Sequence, residues 1–164
     1  MNSAKTHKKI MLVCLGNICR SPLAKAIFLE ILNKNHQTRN FFVDASGTSA
    51  YHIGEEPDPR MSETAARHGI KMNHRGKQLT YQDLQDFDLI FAMDKQNYQD
   101  IQTLSPNNPL LRKVYLFRKF DPQAQPGESV PDPYYGGSQG FENVFQIVSR
   151  SCQNIFEKLL SREI

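Results

Sequence analysis

Cys14 and Arg20, six residues apart, bracket the stretch Cys14-Leu15-Gly16-Asn17-Ile18-Cys19-Arg20-Ser21. A loop curled into a helix N-terminus aims several backbone N–H groups at one point, and the helix dipole adds positive potential there. Gly16 can adopt backbone angles closed to residues with a Cβ, and Asn17 tolerates the left-handed region better than most. The planar guanidinium of Arg20 matches two oxygens of a tetrahedral anion at once, which a lysine cannot do. A thiol at the base of such a nest is favoured as thiolate by the same dipoles and by the arginine. Ser21 can donate a hydrogen bond to that sulfur and cap the following helix. The chemistry this combination could perform is nucleophilic attack of sulfur on a bound phosphoryl group. The spacing by itself is weak, since a buried free cysteine is usually only a small hydrophobe. Its neighbours strengthen it, because a strand before it, Gly-Asn inside it and Ser-Pro behind it all serve one geometry.

The elements that must position the loop follow from hydrophobic spacing. Ile10-Met11-Leu12-Val13 is a continuous apolar run suited to a strand buried on both faces. Ser21-Pro22 then predicts a helix start, and Leu23/Ala24, Ile27/Phe28 and Ile31/Leu32 recur at helical spacing. Phe41-Phe42-Val43 reads as a second strand, Phe87 to Met93 as a third, and Val114 to Phe117 as a short fourth. Asp58-Pro59 opens a helix that His68-Gly69 can close, and Asp94 caps another. From Gly137, the positions Phe141, Val144, Phe145, Val148, Cys152, Ile155, Phe156, Leu159 and Leu160 trace one face of a long last helix. Strands alternating with helices predict an α/β fold with a four-stranded parallel sheet. The segment Asp121 to Gly140, with four prolines and four glycines, reads as a surface loop. In open parallel sheets ligands bind beyond the carboxyl ends of the strands, which is where the loop after Val13 lies.

Composition sets the frame. A chain of 164 residues suits a single domain, 1–164, and 39% hydrophobic with 23% charged residues is an ordinary soluble balance. The 20 basic and 17 acidic residues give a net charge of +3, scattered along the chain, so no nucleic acid partner is implied. Three cysteines, two of them five apart, do not form a secreted disulfide framework, and a reducing, cytoplasmic compartment is expected. The basic start and the apolar run after it imitate a signal peptide, but the run breaks at Gly16-Asn17. No stretch has the length of a membrane span, and no membrane partner is expected. Cys152, on the apolar face of the last helix, reads as structural. The short spacing would also let Cys19 close a disulfide with Cys14 and protect an oxidised nucleophile.

The stretch VCLGNICRSP resembles, nearly letter for letter, the phosphate-binding loop of the low-molecular-weight protein tyrosine phosphatases. ASGTSAYHIG, PDPR, HGI, AMD followed by Asn97, and PDPYYGG match further family motifs in order along nearly the whole chain. The resemblance implies a three-layer, doubly wound, four-stranded parallel twisted sheet flanked by helices, as in phosphotyrosine protein phosphatase I. It also implies an intracellular enzyme with no metal and no cofactor, acting on tyrosine-phosphorylated proteins as a monomer or weak dimer. By the same resemblance Cys14 is nucleophile, Arg20 phosphate clamp and Asp132 general acid; read without it, Asp132-Pro133 is only a turn former. Tyr51 and Tyr134, with Tyr135 beside them, look like the family's aromatic substrate walls. Asn17, Ser21 and His74 resemble a hydrogen-bond network that holds the loop. The chain departs from the usual pattern by reading Asp44-Ala45-Ser46-Gly47-Thr48, so Ser46 is the candidate to replace a serine missing at Ala45.

Rival readings share parts of this set. An arsenate reductase of the same fold needs relay cysteines, and none lies between Thr80 and Asp100. A protein arginine phosphatase resembles a loop with threonine at the position of Ile18. A phosphate-binding module or a dithiol redox protein would not need nucleophile, clamp and acid together.

Overall fold

The structure is a computed structural model, and it describes residues 7–106 and 109–164. Among the described residues the strands and α-helices follow in chain order: β1 (Lys8–Cys14), α1 (Arg20–Lys34), β2 (Phe41–Gly47), α2 (Pro59–Arg67), α3 (Tyr81–Asp86), β3 (Leu89–Ala92), α4 (Lys95–Leu104), β4 (Val114–Leu116) and α5 (Gly137–Leu160). The four strands form one parallel sheet in the order β2-β1-β3-β4. Parallel neighbours need crossover connections, and the intervening helices supply them.

Side-chain alternation along β1 divides the core in two. Ile10 and Leu12 enter the larger cluster, with Leu23, Phe28 and Leu32 of α1 and Phe141, Val148, Ile155 and Phe156 of α5. Met11 and Val13 enter the opposite cluster, with Leu84 of α3, Ile90 and Ala92 of β3, and Ile101 of α4. Helices thus cover both faces of the sheet in three layers, which is why its central strands read as unbroken apolar runs. The sheet order reverses between β1 and β3, and the loop after Cys14 sits at that switch point.

Several element limits differ from the sequence expectation. β2 does not end at Val43; its pairing with β1 continues to Cys14 opposite Gly47. The small residues of Asp44-Ala45-Ser46-Gly47 carry no strand signal because a loop packs against them. α1 begins at Arg20, and Ser21 does not cap it; the N-cap is Cys19, without a side-chain cap bond. α3 lacked an apolar period at sequence level, yet Thr80 and Asp83 form a capping box that starts it. α2 opens at Asp58, whose side chain accepts from Arg60 N, and closes into Gly69 at φ 75°. α4 is capped by Asp94 as expected. α5 keeps the expected apolar face, apart from Leu160, which is exposed.

The segment from Asp121 into α5 is tied down rather than loose. The buried Asp121 carboxylate accepts from Arg150 at 2.6 and 3.0 Å and from Arg118 Nε at 3.0 Å. Val130 N donates to Met93 O at the end of β3, 2.8 Å away. Among the described residues no helix is long and apolar enough to cross a membrane.

Candidate active site

β1 ends at Cys14, and the chain then curls through Leu15-Gly16-Asn17-Ile18-Cys19 before α1 begins. The carbonyls of this loop are turned outward. Thr48 N donates to Cys14 O, Ser49 N to Leu15 O and Asp58 N to Ile18 O, at 2.8–3.0 Å. Among the described residues the amides of Leu15, Gly16, Ile18 and Cys19 have no hydrogen-bond partner. They ring the same hollow as the Cys14 sulfur, which itself accepts from Asn17 N at 3.2 Å. Unpartnered amides beside a sulfur are the groups that an anion-receiving nest needs.

Asn17 makes the curl with φ 59°, as its tolerance of left-handed angles allows. Gly16 serves differently from the expectation, since its φ is not positive. A Cβ there would lie 2.9 Å from His52 Cδ2, so the imidazole beside Tyr51 packs this closely over a bare Cα. Gly47 has the same office behind the loop, where a Cβ would stand 2.7 Å from Leu15 O.

Arg20 is 3% exposed and points into the site. Its Nη1 donates to Asp94 Oδ2 at 2.7 Å and to Val130 O at 3.0 Å. Among the described residues Nε and Nη2 have no partner, which leaves one edge of the fork for an anion. Burial works against the charge of Arg20, but the neighbouring Cys14 sulfur and Asp94 outweigh it and hold the guanidinium protonated more firmly than usual. Asp94 therefore does two things: Oδ1 accepts from Asn97 N to cap α4, and Oδ2 orients Arg20. The capping signal was legible in sequence; the ion pair across 74 residues was not.

Cys14, Arg20, Asp132, Tyr51 and Tyr134 line one hollow of about 320 Å³, together with the loop residues and His52. Asp132 accepts from Tyr134 N at 2.9 Å, which fixes the turn Pro133–Tyr135 at the mouth. Tyr51 is 77% and Tyr134 52% exposed, so both stand at the rim of the hollow. Arg60, which sequence reading passed over, places its guanidinium carbon 5.0 Å from the Tyr134 ring and 4.8 Å from that of Phe141. The side chain of Tyr135 lies outside the described residues.

Behind the loop a hydrogen-bond network forms from the residues expected, with one correction. Ser21 Oγ lies 3.0 Å from Cys14 Sγ, Asn17 Nδ2 donates to Ser21 Oγ at 2.8 Å, and His74 Nε2 is 2.7 Å from Asn17 Oδ1. The hydroxyl of Ser46, expected to support Asn17, is buried and meets no partner among the described residues. Ser46 offers instead its backbone carbonyl, 3.4 Å from Ser21 Oγ. Backbone Lys77 N, donating to Asn17 Oδ1 at 2.9 Å, takes the place expected for a serine hydroxyl. All three cysteines are free and buried, so no Cys14–Cys19 disulfide is present. Burial, then the nearby Asp58 carboxylate, pushes the Cys19 thiol strongly upward, and it stays protonated.

A hollow of this build, at the switch point of a doubly wound sheet, defines a class: α/β proteins with a cysteine and an arginine on one loop between the first strand and its helix. The family model described as low molecular weight phosphotyrosine protein phosphatase matches residues 9–163. The human protein of that description is 40% identical over 152 residues, covering 92% of this chain and 95% of the relative. A protein tyrosine phosphatase structure from Entamoeba histolytica, with Hepes in its active site, superposes with a TM-score of 0.90 at 34% identity, over 96% of this chain and 99% of that one. A Drosophila arginine phosphatase structure superposes with a TM-score of 0.82 at 31% identity, over 92% and 97% of the two chains. The chain belongs to the low molecular weight phosphotyrosine protein phosphatase family, a family of hydrolytic enzymes.

Proposed function

We propose that this enzyme hydrolyses phosphotyrosine in proteins, and small aryl phosphates, through a phosphocysteine intermediate. The observation that carries the reading is the convergence of the Cys14 sulfur, the free edge of Arg20 and the Asp132 carboxyl on one hollow between Tyr51 and Tyr134. The unpartnered loop amides and Arg20 hold the equatorial oxygens of the phosphoryl group. Cys14 Sγ attacks phosphorus in line; the S–P bond forms as the P–O bond to the phenol breaks, and the Asp132 proton goes to the leaving oxygen. Water then attacks phosphorus while the Asp132 carboxylate takes its proton; the S–P bond breaks, returning the thiolate and releasing phosphate.

The two tyrosine rims suit an aryl ester, whose ring can lie between them while its phosphorus reaches the sulfur. The apolar side chain of Ile18 in the same hollow suits an aryl group as well. The likeness to an arginine phosphatase makes phosphoarginine the substrate to test against.

Turnover of matched phosphotyrosine and phosphoarginine peptides, with p-nitrophenyl phosphate as a general substrate, tests the assignment. Phosphotyrosine should be the better peptide by kcat/KM, and Cys14→Ser should abolish all turnover. Activity that survives Cys14→Ser would refute the mechanism, and a preference for phosphoarginine would reassign the substrate.

A further inference from the structure

The network behind Asn17 does not end at His74. Lys25, on α1, brings its Nζ to 3.1 Å from His74 Nδ1. An ammonium has donors only, so Nδ1 accepts, and the single hydrogen of a neutral ring must sit on Nε2. Backbone Lys77 N also has only a hydrogen to give, which fixes Oδ1 as the Asn17 atom facing both it and His74. Asn17 Nδ2 is therefore turned toward Ser21 Oγ, which accepts, and the serine hydrogen is left for Cys14 Sγ at 3.0 Å in preference to Ser46 O at 3.4 Å. Every hydrogen from Lys25 to the sulfur points the same way.

We propose that Lys25 is a positioning residue for Cys14: it fills the Nδ1 lone pair of His74 and so heads a one-way train of hydrogen bonds that ends on the sulfur. This rests on the phosphocysteine reading of the site. Asn17 would still require a hydrogen on Nε2 if Lys25 were absent, but Nδ1 would then be open to a second proton, opposed only by burial and the Lys77 charge. The positive charge at the head of the train belongs to a lysine, which keeps it throughout the neutral range, and not to an imidazole, which would gain and lose it.

The charged groups facing His74 bear this out. Lys25 approaches from α1, Asp44 from β2, and Lys77 from the segment of His74 itself. Asp44 alone would favour a cationic ring, but its carboxylate is already engaged by Lys25 at 3.4 Å and by a close contact with Lys77 Nζ. Burial, followed by the Lys25 charge, lowers His74 from 6.5 to about 4.

The test pairs Lys25→Met with Lys25→Arg, since a guanidinium also only donates. NMR of the His74 imidazole should show Nε2–H at neutral pH in the unaltered enzyme, with a midpoint near 4. Lys25→Met should raise that midpoint by one unit or more, and Lys25→Arg should keep it low. The rate of Cys14 alkylation by iodoacetamide, followed against pH, should gain a second inflection at the new His74 midpoint in Lys25→Met alone. A purely structural role would lower reactivity evenly at all pH values, and that outcome would overturn the proposal. So would an Nδ1–H ring in the unaltered enzyme, or a His74 midpoint unmoved by Lys25→Met. Neither readout needs turnover, so a failure of the catalytic reading would show separately, as loss of phosphatase activity with the hydrogen-bond train intact.

Discussion

At the scale of single residues, the site divides into groups that were legible from type and spacing and groups that were not. Cys14, Arg20 and Asn17 declare themselves because each is suited to a geometry few other residues accept. Asp94 concealed half its work: a helix cap accounts for an aspartate before a helix, so nothing in the sequence asked for a second partner. Ser46 shows the opposite error, a residue of suitable type at a suitable place whose hydroxyl meets no partner among the described residues. Asp132 is the group whose role is most open to measurement. If it protonates the leaving oxygen, Asp132→Ala should lower kcat for phenyl phosphate by about 10²–10⁴-fold, the usual worth of a general acid. The loss should be smaller for p-nitrophenyl phosphate, whose phenolate leaves without a proton, and equal losses for the two esters would remove Asp132 from that step.

At the scale of elements, the sequence placed all four strands and fell furthest short at the end of β2. β2 was read to stop at Val43 because Asp44-Ala45-Ser46-Gly47 lacks bulky apolar residues, yet those small residues are what let the loop lie against the strand. Gly47→Ala probes this directly. The added methyl would meet the Leu15 carbonyl, a backbone atom that cannot swing aside, so the loop must move. Such crowding costs about 1–3 kcal/mol in stability. The shift of loop amides should cost more in catalysis, on the order of 10²-fold in kcat/KM, because misplacement by about 1 Å has that effect. Steady-state kinetics and thermal unfolding of the variant check both, and unchanged kcat/KM would show that the loop is held from elsewhere.

At the scale of the molecule, the parallel four-stranded sheet followed from strands alternating with helices and the three layers from the family resemblance, whereas the strand order and the ties that hold the Asp121–Gly140 segment did not, because pairings such as Asp121–Arg150 join residues far apart in sequence. Stability should also carry a signature of the buried network. The folded state resists protonation of His74 down to about 4, while an unfolded histidine takes a proton near 6.5. The unfolded chain thus binds more protons between those values, so stability rises with pH across the window and is lost as pH falls through it. Carboxylates held low in the fold act toward the bottom of that window and beneath it, Glu142 and Glu163 below their ordinary 4.5 and Asp44 below 3.8. Thermal unfolding between pH 4.5 and 6.5 should therefore show a decline on acidification that His74→Gln flattens; an equal slope in both proteins would mean that the ring titrates normally in the fold.

Arg20 grips the cap of α4 and the Val130 carbonyl with a single nitrogen, Nη1. It is a brace before it is a tool. A descendant that gave up chemistry and kept this scaffold would be free to replace the sulfur early, but it would discard the guanidinium only after finding another way to join three distant parts of the chain. Wreckage of the enzyme should thus be recognisable by an arginine outliving its cysteine.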